Sequence, residues 1–180
     1  MSLASFHYAF ESHGAMMREL IEFVVRRESE AVTESIDFSA GVRDSLRAGL
    51  QGYFDNLLAD PAREQAMFEL MHFALRTPGL EDLARDQYAR YFAAVDSILE
   101  AAEGHGVEWT LPRLDIARFV VTVTDGVTLA WLADRDSDAA GRSLDFAADA
   151  LAQLALPPDL TDPATTTLPQ HTAPAKEPSP

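Results

Sequence analysis

Cysteine is absent from the 180-residue sequence, which excludes a disulfide framework and any thiolate metal site. Basic residues are also scarce: 14 Lys and Arg stand against 29 Asp and Glu, and the formal net charge is -15. A surface this acidic repels nucleic acid and anionic membranes and mainly keeps a protein in solution. The excess of acid therefore predicts a soluble protein.

Targeting and membrane signals are missing as well. The chain does not open with the basic stretch and apolar run of a signal peptide. The longest apolar stretch, 119–133, contains Asp125 and is shorter than the roughly 20 residues that a membrane helix needs. We therefore expect a cytoplasmic protein with no membrane partner. A hydrophobic content of 47% in 180 residues predicts one domain with a sizeable core.

Proline divides the chain. Seven of the ten prolines lie between residues 157 and 180, in a segment without aromatic residues or hydrophobic periodicity. Such a segment buries too little apolar surface to order itself, so we predict a disordered tail over residues 156–180. The other three prolines, Pro61, Pro78 and Pro112, each precede a long apolar-periodic run, which is typical of the first turn of a helix.

These signals predict an all-α fold, a helical bundle. Helices are expected near residues 3–10, 13–35, 39–59, 61–76, 79–103, 112–134 and 137–155. One segment is ambiguous, because residues 119–134 are rich in β-branched residues and Asp125-Gly126 is typical of a two-residue hairpin. A lone hairpin would have no sheet to join. We therefore interpret this segment as a helix.

The stretch SLASFHYAFESHGAMMRELIEFVVRRE (2–28) carries aromatic residues, among them Phe6 and Phe10, ahead of a longer helical run. It resembles the end of the DNA-binding region of TetR-family transcriptional regulators, with His13 in the place of the usual lysine. The resemblance implies that residues 1–12 are a remnant recognition helix of an incomplete helix-turn-helix. The family's first two helices, which should cover the two phenylalanines, have no counterpart in the sequence.

The rest of the sequence resembles the BetI-like C-terminal regulatory domain of the same family. Residues 57–92 have Asp-Pro before one helix and a proline break before the next, and TDGVTLAWLAD (124–134) resembles the family's eighth helix. The resemblance implies that residues 13–155 form a helical ligand-binding and dimerisation domain. In such a regulator, a small ligand in this domain weakens operator binding through a two-state coupling.

The resemblance also implies which residues contact operator DNA. They are the polar positions of the recognition helix and the lysine stand-in: Ser2, Ser5, His7, Tyr8 and His13. A neutral histidine contributes much less to phosphate binding than lysine does. The alternative is an N-terminal turn that binds nothing. Operator DNA is therefore expected as a partner only if the missing helices exist.

The ligand expected is small and apolar or amphipathic, because the helices carry more aromatic residues than a small core requires. The candidate ligand-binding residues are Phe54, Phe68, Met71, His72, Tyr88, Tyr91, Phe92, Thr122 and Trp131. His72 is the strongest single candidate, since a polar ring within ELMHFAL needs a partner. The alternative for each of these residues is a place in the core.

Helices 112–134 and 137–155 match the pair through which the family forms homodimers. The candidate interface residues are Gly126, Leu129, Gly141, Leu144, Ala148 and Leu151. The glycines would allow partner helices to approach closely, although each weakens its own helix. The alternative is that these residues form an ordinary intramolecular face.

No catalytic motif, metal site or cofactor is predicted. Glu69-x-x-His72 has the spacing found in di-iron bundles, but such sites need a second copy of the motif and two further glutamates. We therefore expect a TetR-type regulator, a repressor that binds a ligand and forms a homodimer. The alternative is a ligand-binding and dimerisation module that binds no DNA and modulates full-length regulators; an enzyme would have to rest on the pocket alone.

Overall fold

The computed structural model describes residues 13–156, and within them the fold is all α. It has six helices: α1 (His13–Glu34), α2 (Val42–Ala59), α3 (Pro61–Arg76), α4 (Glu81–Gly104), α5 (Arg113–Asp134) and α6 (Ser137–Ala152). Between residues 13 and 156 there is no strand, and the one extended contact is a bridge between Trp109 and Ala155. The predicted all-α fold is confirmed. The predicted helix 3–10, and all of the predicted tail except Leu156, fall outside the described residues.

Local capping chemistry sets two helix starts. The Asp60 side chain accepts a hydrogen bond of 3.2 Å from the backbone N–H of Arg63, and Pro61 occupies the first turn of α3. Asp136 caps α6 in the same way, accepting from the N–H of Ala139 at 2.8 Å. Each cap satisfies an N–H that has no partner within the helix. The predicted start of α3 at residue 61 is therefore confirmed.

Two other helices begin later than predicted, and a glycine explains each case. Gly41 and Gly79 have positive φ angles of 89° and 86°, which a right-handed helix cannot contain. As a result α2 begins at Val42 and α4 at Glu81, two or three residues after the predicted positions. Periodicity does not show this, because a glycine permits a left-handed turn without requiring one.

The ambiguous segment is helical. Asp125 and Gly126 lie inside α5 and form no turn. The buried residues of α5 recur at helical spacing: Ile116, Ala117, Val121, Thr124, Val127, Thr128 and Trp131. Its β-branched residues therefore fill a core that α4 and α6 complete. The hairpin alternative is excluded.

Among the described residues, α5 is also long and apolar enough to span a membrane by length and composition. The same test is passed by core helices of water-soluble proteins, so it is weak evidence for a span. The side of α5 that carries Ile116 and Val127 packs inside the bundle.

The buried side chains form two clusters. The first joins α2, α5 and α6 with the end of α4, around Leu57, Leu99 and Leu144. The second joins α1, α3 and the first half of α4, around Ile21 and Leu83. A core divided in this way leaves a space between its halves, which the helices α1 to α5 surround.

Helices α1 and α2 approach each other closely at Gly52. A Cβ atom at Gly52 would lie 2.4 Å from Ser35 Oγ and 3.1 Å from Ser35 Cβ. A Cβ at Gly49 would lie 3.1 Å from Ile36 Cδ1. The two glycines thus allow the end of α1 to lie against α2, next to the space between the clusters.

Candidate ligand-binding cavity

A cavity of about 390 Å³ lies between the two core clusters. Helices α1 to α5 and the loops 36–41 and 105–109 contribute to its wall, together with Leu151 and Leu156. Its volume falls within the range of roughly 300–1,000 Å³ that is usual for small-molecule sites. The position, between helices of a bundle, is also one where such sites recur.

Most of the cavity wall is aliphatic. Its aliphatic members include Val32, Ile36, Leu46, Ile98, Val107 and Leu156. Phe38 and His105 line the cavity too, and their rings stack with centroids 4.7 Å apart and planes 13° from parallel. Because His105 is exposed, this stacked pair lies where the cavity approaches the protein surface.

Polar side chains gather in another part of the wall, which we call the polar end. Its members are Glu28, Tyr53, Glu64, Gln87, Tyr88, Tyr91 and Asp125. Tyr88 on α4 donates a hydrogen bond of 2.6 Å to Asp125 Oδ2 on α5. Burial raises the pKa of Asp125 and the charge of Glu64 raises it further, while the hydrogen bond from Tyr88 lowers it.

Two glutamates share one arginine at the polar end. Both glutamates are buried, with Glu28 8% and Glu64 4% exposed. Arg63 donates to Glu64 Oε1 from Nε at 3.2 Å and from Nη2 at 3.1 Å, and Nη2 also donates to the carbonyl of Asn56. Glu28 Oε1 lies 3.1 Å from Arg63 Nε, close enough for an ion pair, yet it accepts no hydrogen bond because that N–H is directed at Glu64.

Gln87 is the most deeply buried polar side chain of this group, with 3% of it exposed. Its amide nitrogen donates at 3.4 Å to the backbone carbonyl of Met67 and to the Tyr91 hydroxyl. Its carbonyl oxygen, Oε1, has no hydrogen-bond partner in the structure. A buried acceptor without a partner is costly and points to a missing donor.

Buried acidic groups lie close together at the polar end, and both burial and a neighbouring acid raise the pKa of a carboxyl group. Burial raises the pKa of Glu28 well above its ordinary value, and the neighbouring Glu64 raises it further. Burial also raises the pKa of Tyr53 and of Tyr91, which the charges of Glu28, Glu64 and Asp125 reinforce. Burial and the neighbouring acid therefore both favour the neutral form of Glu28, while Arg63 opposes it.

The structure brings four of the nine predicted ligand residues to the cavity: Phe68, Met71, Tyr88 and Tyr91. Phe54 and Trp131 lie elsewhere, in the first core cluster, with their rings edge to face and centroids 6.0 Å apart. The Trp131 indole N–H donates to Ser137 Oγ, so this ring is fully engaged in the core. Phe54 and Trp131 are therefore core residues, which was the alternative to ligand binding.

The remaining three predicted ligand residues lie away from the cavity wall. His72 is exposed on α3, where its ring is accessible to solvent, so the premise that it needs a protein partner was wrong. Thr122 is exposed on α5 and donates to the carbonyl of Arg118. Phe92 is half-buried beneath the guanidinium of Arg118, which lies 4.6 Å from its ring centre.

Sequence reasoning missed the acidic and amide groups of the polar end. The available signal was a polar residue inside an apolar stripe. Glu28 continues the stripe Ile21, Val24, Val25 of α1, and Gln87 continues Leu83 and Ala84 of α4. Charged residues are mostly exposed unless paired, so the periodic pattern alone does not place them inside.

The predicted dimer residues fall into two groups. Leu144, Ala148 and Leu151 are fully buried against the protein's own core, because this side of α6 packs on α2. The expectation that they face a partner is corrected accordingly. Gly126 and Leu129 are exposed on α5, and Gly141 is half-buried on α6.

Of the predicted DNA-contacting residues, His13 is the first residue of α1. The others, Ser2, Ser5, His7 and Tyr8, lie outside the described residues. The operator contacts therefore stay a prediction.

Comparison with known proteins agrees with this architecture. The sequence model of the family described as BetI-type transcriptional repressor, C-terminal, matches residues 42–156, which is more than half of the chain. The chain therefore belongs to the TetR family of transcriptional regulators and carries a BetI-type C-terminal domain. The predicted family resemblance is confirmed.

A characterised relative supports the same assignment. The HTH-type nicotine-responsive transcriptional repressor HdnoR of Paenarthrobacter nicotinovorans is 25% identical over 133 residues, covering 74% of this chain and 68% of the relative. No solved structure matches the chain significantly. Family and relative both point to a transcriptional regulator.

Proposed function

We propose that residues 13–156 are the ligand-binding and dimerisation domain of a TetR-type repressor, and that the cavity between the two core clusters is its ligand site. The observation that carries this proposal is the cavity itself. It has the volume of a small-molecule site, an apolar wall, and a few convergent polar groups in a chain of a regulator family. The ligand is a small amphipathic molecule, whose body lies on the aliphatic wall and whose polar group meets the polar end.

Two of the helices that line the cavity, α1 and α4, suggest how ligand binding changes the domain. Helix α1 contributes Glu28 and Val32, and α4 contributes Tyr91 and Ile98, so one ligand touches both helices. Helix α1 follows directly on residues 1–12, the predicted recognition helix. A ligand that favours one position of α1 over another would therefore shift the DNA-binding segment, which is the differential interaction that allostery requires.

The dimerisation part of the proposal rests on α5. Exposed residues on this helix recur at alternating intervals of four and three: Phe119, Thr122, Gly126 and Leu129. Phe119 and Leu129 are 42% and 50% exposed, and Phe146 on α6, the helix that follows α5, is 72% exposed. An apolar stripe of this kind with a glycine at its centre suits the close packing of a second copy.

The remaining proposals follow from the family. The protein acts in the cytoplasm as a regulator without catalytic activity, and it binds operator DNA when a complete helix-turn-helix is present. The second candidate is a module that dimerises and binds ligand without DNA. The high density of acid, with a net charge of -15, favours this candidate because it opposes phosphate binding.

A thermal melting screen tests the ligand-binding proposal. The 180-residue chain is melted with and without a library of small amphipathic molecules, and a ligand of the folded state raises the melting temperature by mass action. At a ligand concentration of 100 times Kd, the gain is about 2.7 kcal/mol, which is several degrees for a domain of this size. A gel shift with operator fragments then separates the repressor from the module.

A further inference from the structure

The polar end of the cavity presents acceptors that lack donors. Gln87 Oε1 and Glu28 Oε1 are both buried and belong to side chains that line the cavity. Neither accepts a hydrogen bond, although Glu28 Oε1 lies 3.1 Å from Arg63 Nε, whereas Gln87 Oε1 has no partner of any kind among the described residues. A third acceptor, the carboxylate of Asp125, receives one hydrogen bond, from Tyr88. A ligand group that suits this end must therefore donate hydrogen bonds.

The charges around the cavity have one sign. Among the described residues that line it there are three carboxylic acids, Glu28, Glu64 and Asp125, and neither lysine nor arginine. Arg63 lies behind the wall, and its Nε and Nη2 donors are already used by Glu64 and by the Asn56 carbonyl. A carboxylate or phosphate ligand would meet acids without a free counter-charge, and its burial would be unfavourable.

Aromatic rings accompany these acids. Tyr53, Tyr88 and Tyr91 all line the cavity, and the rings of Tyr88 and Tyr91 meet edge to face with centroids 5.9 Å apart. The face of a tyrosine ring attracts a cation, more strongly when water is excluded. Hydrogen-bond acceptors, acidic groups and aromatic ring faces together favour a ligand head group that is positively charged and donates hydrogen bonds.

Building on the proposed ligand site, we infer that the cavity takes an organic cation, an amphipathic molecule whose protonated amine donates hydrogen bonds to Glu28 and Gln87. The apolar body of the molecule extends along the aliphatic wall towards Val32 and Ile98. The amine adds a second positive neighbour to Glu28 besides Arg63, and a positive neighbour favours the ionised form of a carboxyl. The stacked pair of Phe38 and His105 lies on the way to the surface.

Three probes with the same phenylbutyl body separate this inference from the proposed function: 4-phenylbutylamine, 4-phenylbutanol and 4-phenylbutanoate. Each is titrated calorimetrically into the 180-residue chain at pH 7.5. We expect the amine to bind about 10- to 100-fold more tightly than the alcohol, as hydrogen bonds to a charged group allow, and the carboxylate to bind weakest. If the alcohol or carboxylate binds as tightly as the amine, the cation inference is overturned while the cavity function stands. If none of the three binds, the cation inference is overturned, and the melting screen decides the cavity function separately.

Matched variants locate the head group. Glu28→Gln removes one carboxyl group from the cavity, and Glu30→Gln makes the same substitution at an exposed position on α1. We expect Glu28→Gln to lower the amine's affinity about tenfold or more and to leave the alcohol within about twofold, while Glu30→Gln changes neither. Equal losses for amine and alcohol in Glu28→Gln, or no loss for either, would contradict the assignment. Melting curves of each variant check that it is folded.

Discussion

Tyr88 on α4 and Asp125 on α5 are joined by a 2.6 Å hydrogen bond across the cavity wall. This contact belongs both to the fold and to the site, because α4 and α5 pack together along their length and the pair faces the ligand space. It also explains why an aspartate is tolerated within residues 119–133 of α5, which contain no other charged residue. The carboxylate is half-buried, and it has its partner on the neighbouring helix.

Replacing Tyr88 with phenylalanine should destabilise the protein by about 1 kcal/mol, because the half-buried Asp125 carboxylate loses its hydrogen-bond donor. The measurement is the free energy of unfolding from urea denaturation at pH 7. The double variant Tyr88→Phe, Asp125→Asn should recover part of the loss, since the charge is then gone. If the single variant is as stable as wild type, Asp125 finds a donor elsewhere and the pairing has no energetic importance.

The second prediction concerns Glu28→Gln and pH. Burial raises the pKa of Glu28 above its ordinary 4.5, in a setting that includes Arg63, Glu64, Tyr53 and Tyr91. Above pH 4.5 the folded protein holds a proton that the unfolded chain has released, so wild-type stability falls as pH rises. As pH rises, the difference in free energy of unfolding between Glu28→Gln and wild type should therefore grow in favour of the variant, by up to about 1.4 kcal/mol per pH unit.

Urea denaturation at pH 5, 6, 7 and 8 measures this difference. Glu30→Gln, on the exposed side of the same helix, is the control and should track wild type at every pH. A constant difference between Glu28→Gln and wild type would show that Glu28 is ionised throughout in the folded protein.

The third prediction concerns the exposed stripe of α5. Light scattering should give about 39 kDa, twice the 19.7 kDa of one chain. Leu129→Glu and Phe146→Glu should each shift the mass towards the monomer, because a buried charge without a partner opposes association. Leu75→Glu is the control: Leu75 is 60% exposed and lies on α3, outside the predicted dimerising pair of helices. A wild-type monomer at micromolar concentration would contradict the dimer.

The fourth prediction tests the close approach of α1 and α2. Gly52→Ala should destabilise the protein by about 1–3 kcal/mol, since the new Cβ would lie 2.4 Å from Ser35 Oγ and overpacking has costs of that size. Gly104→Ala is the control, because its Cβ would meet nothing within 4 Å. Equal stabilities of the two variants would show that Ser35 moves aside without cost.

The order of the helices was predictable from the sequence because the signals are local. The Asp60-Pro61 pair determines the start of α3 through a cap and a fixed φ, whatever surrounds it. The starts of α2 and α4 were less accessible, since only the structure shows that Gly41 and Gly79 adopt positive φ.

The partners of each apolar face were not predictable in the same way. Periodicity shows that Leu144, Ala148 and Leu151 share one side of α6, but either α2 of the same chain or a second copy could cover that side. The chemistry of the cavity was hidden for a related reason. Whether Glu28 or Gln87 faces water or protein depends on neighbouring helices, which a one-dimensional pattern does not contain.

Binding of a small molecule in the cavity is the central property of the proposed repressor. Ala94 lines the cavity on α4, and Ala93, next to it, is exposed. Ala94→Phe fills part of the space, whereas Ala93→Phe adds the same ring to the surface. Calorimetric titration of the tightest ligand from the melting screen into both variants is the most direct test. We expect Ala94→Phe to lower the affinity at least tenfold and Ala93→Phe to retain it; unchanged affinity in a folded Ala94→Phe would contradict ligand binding in the cavity.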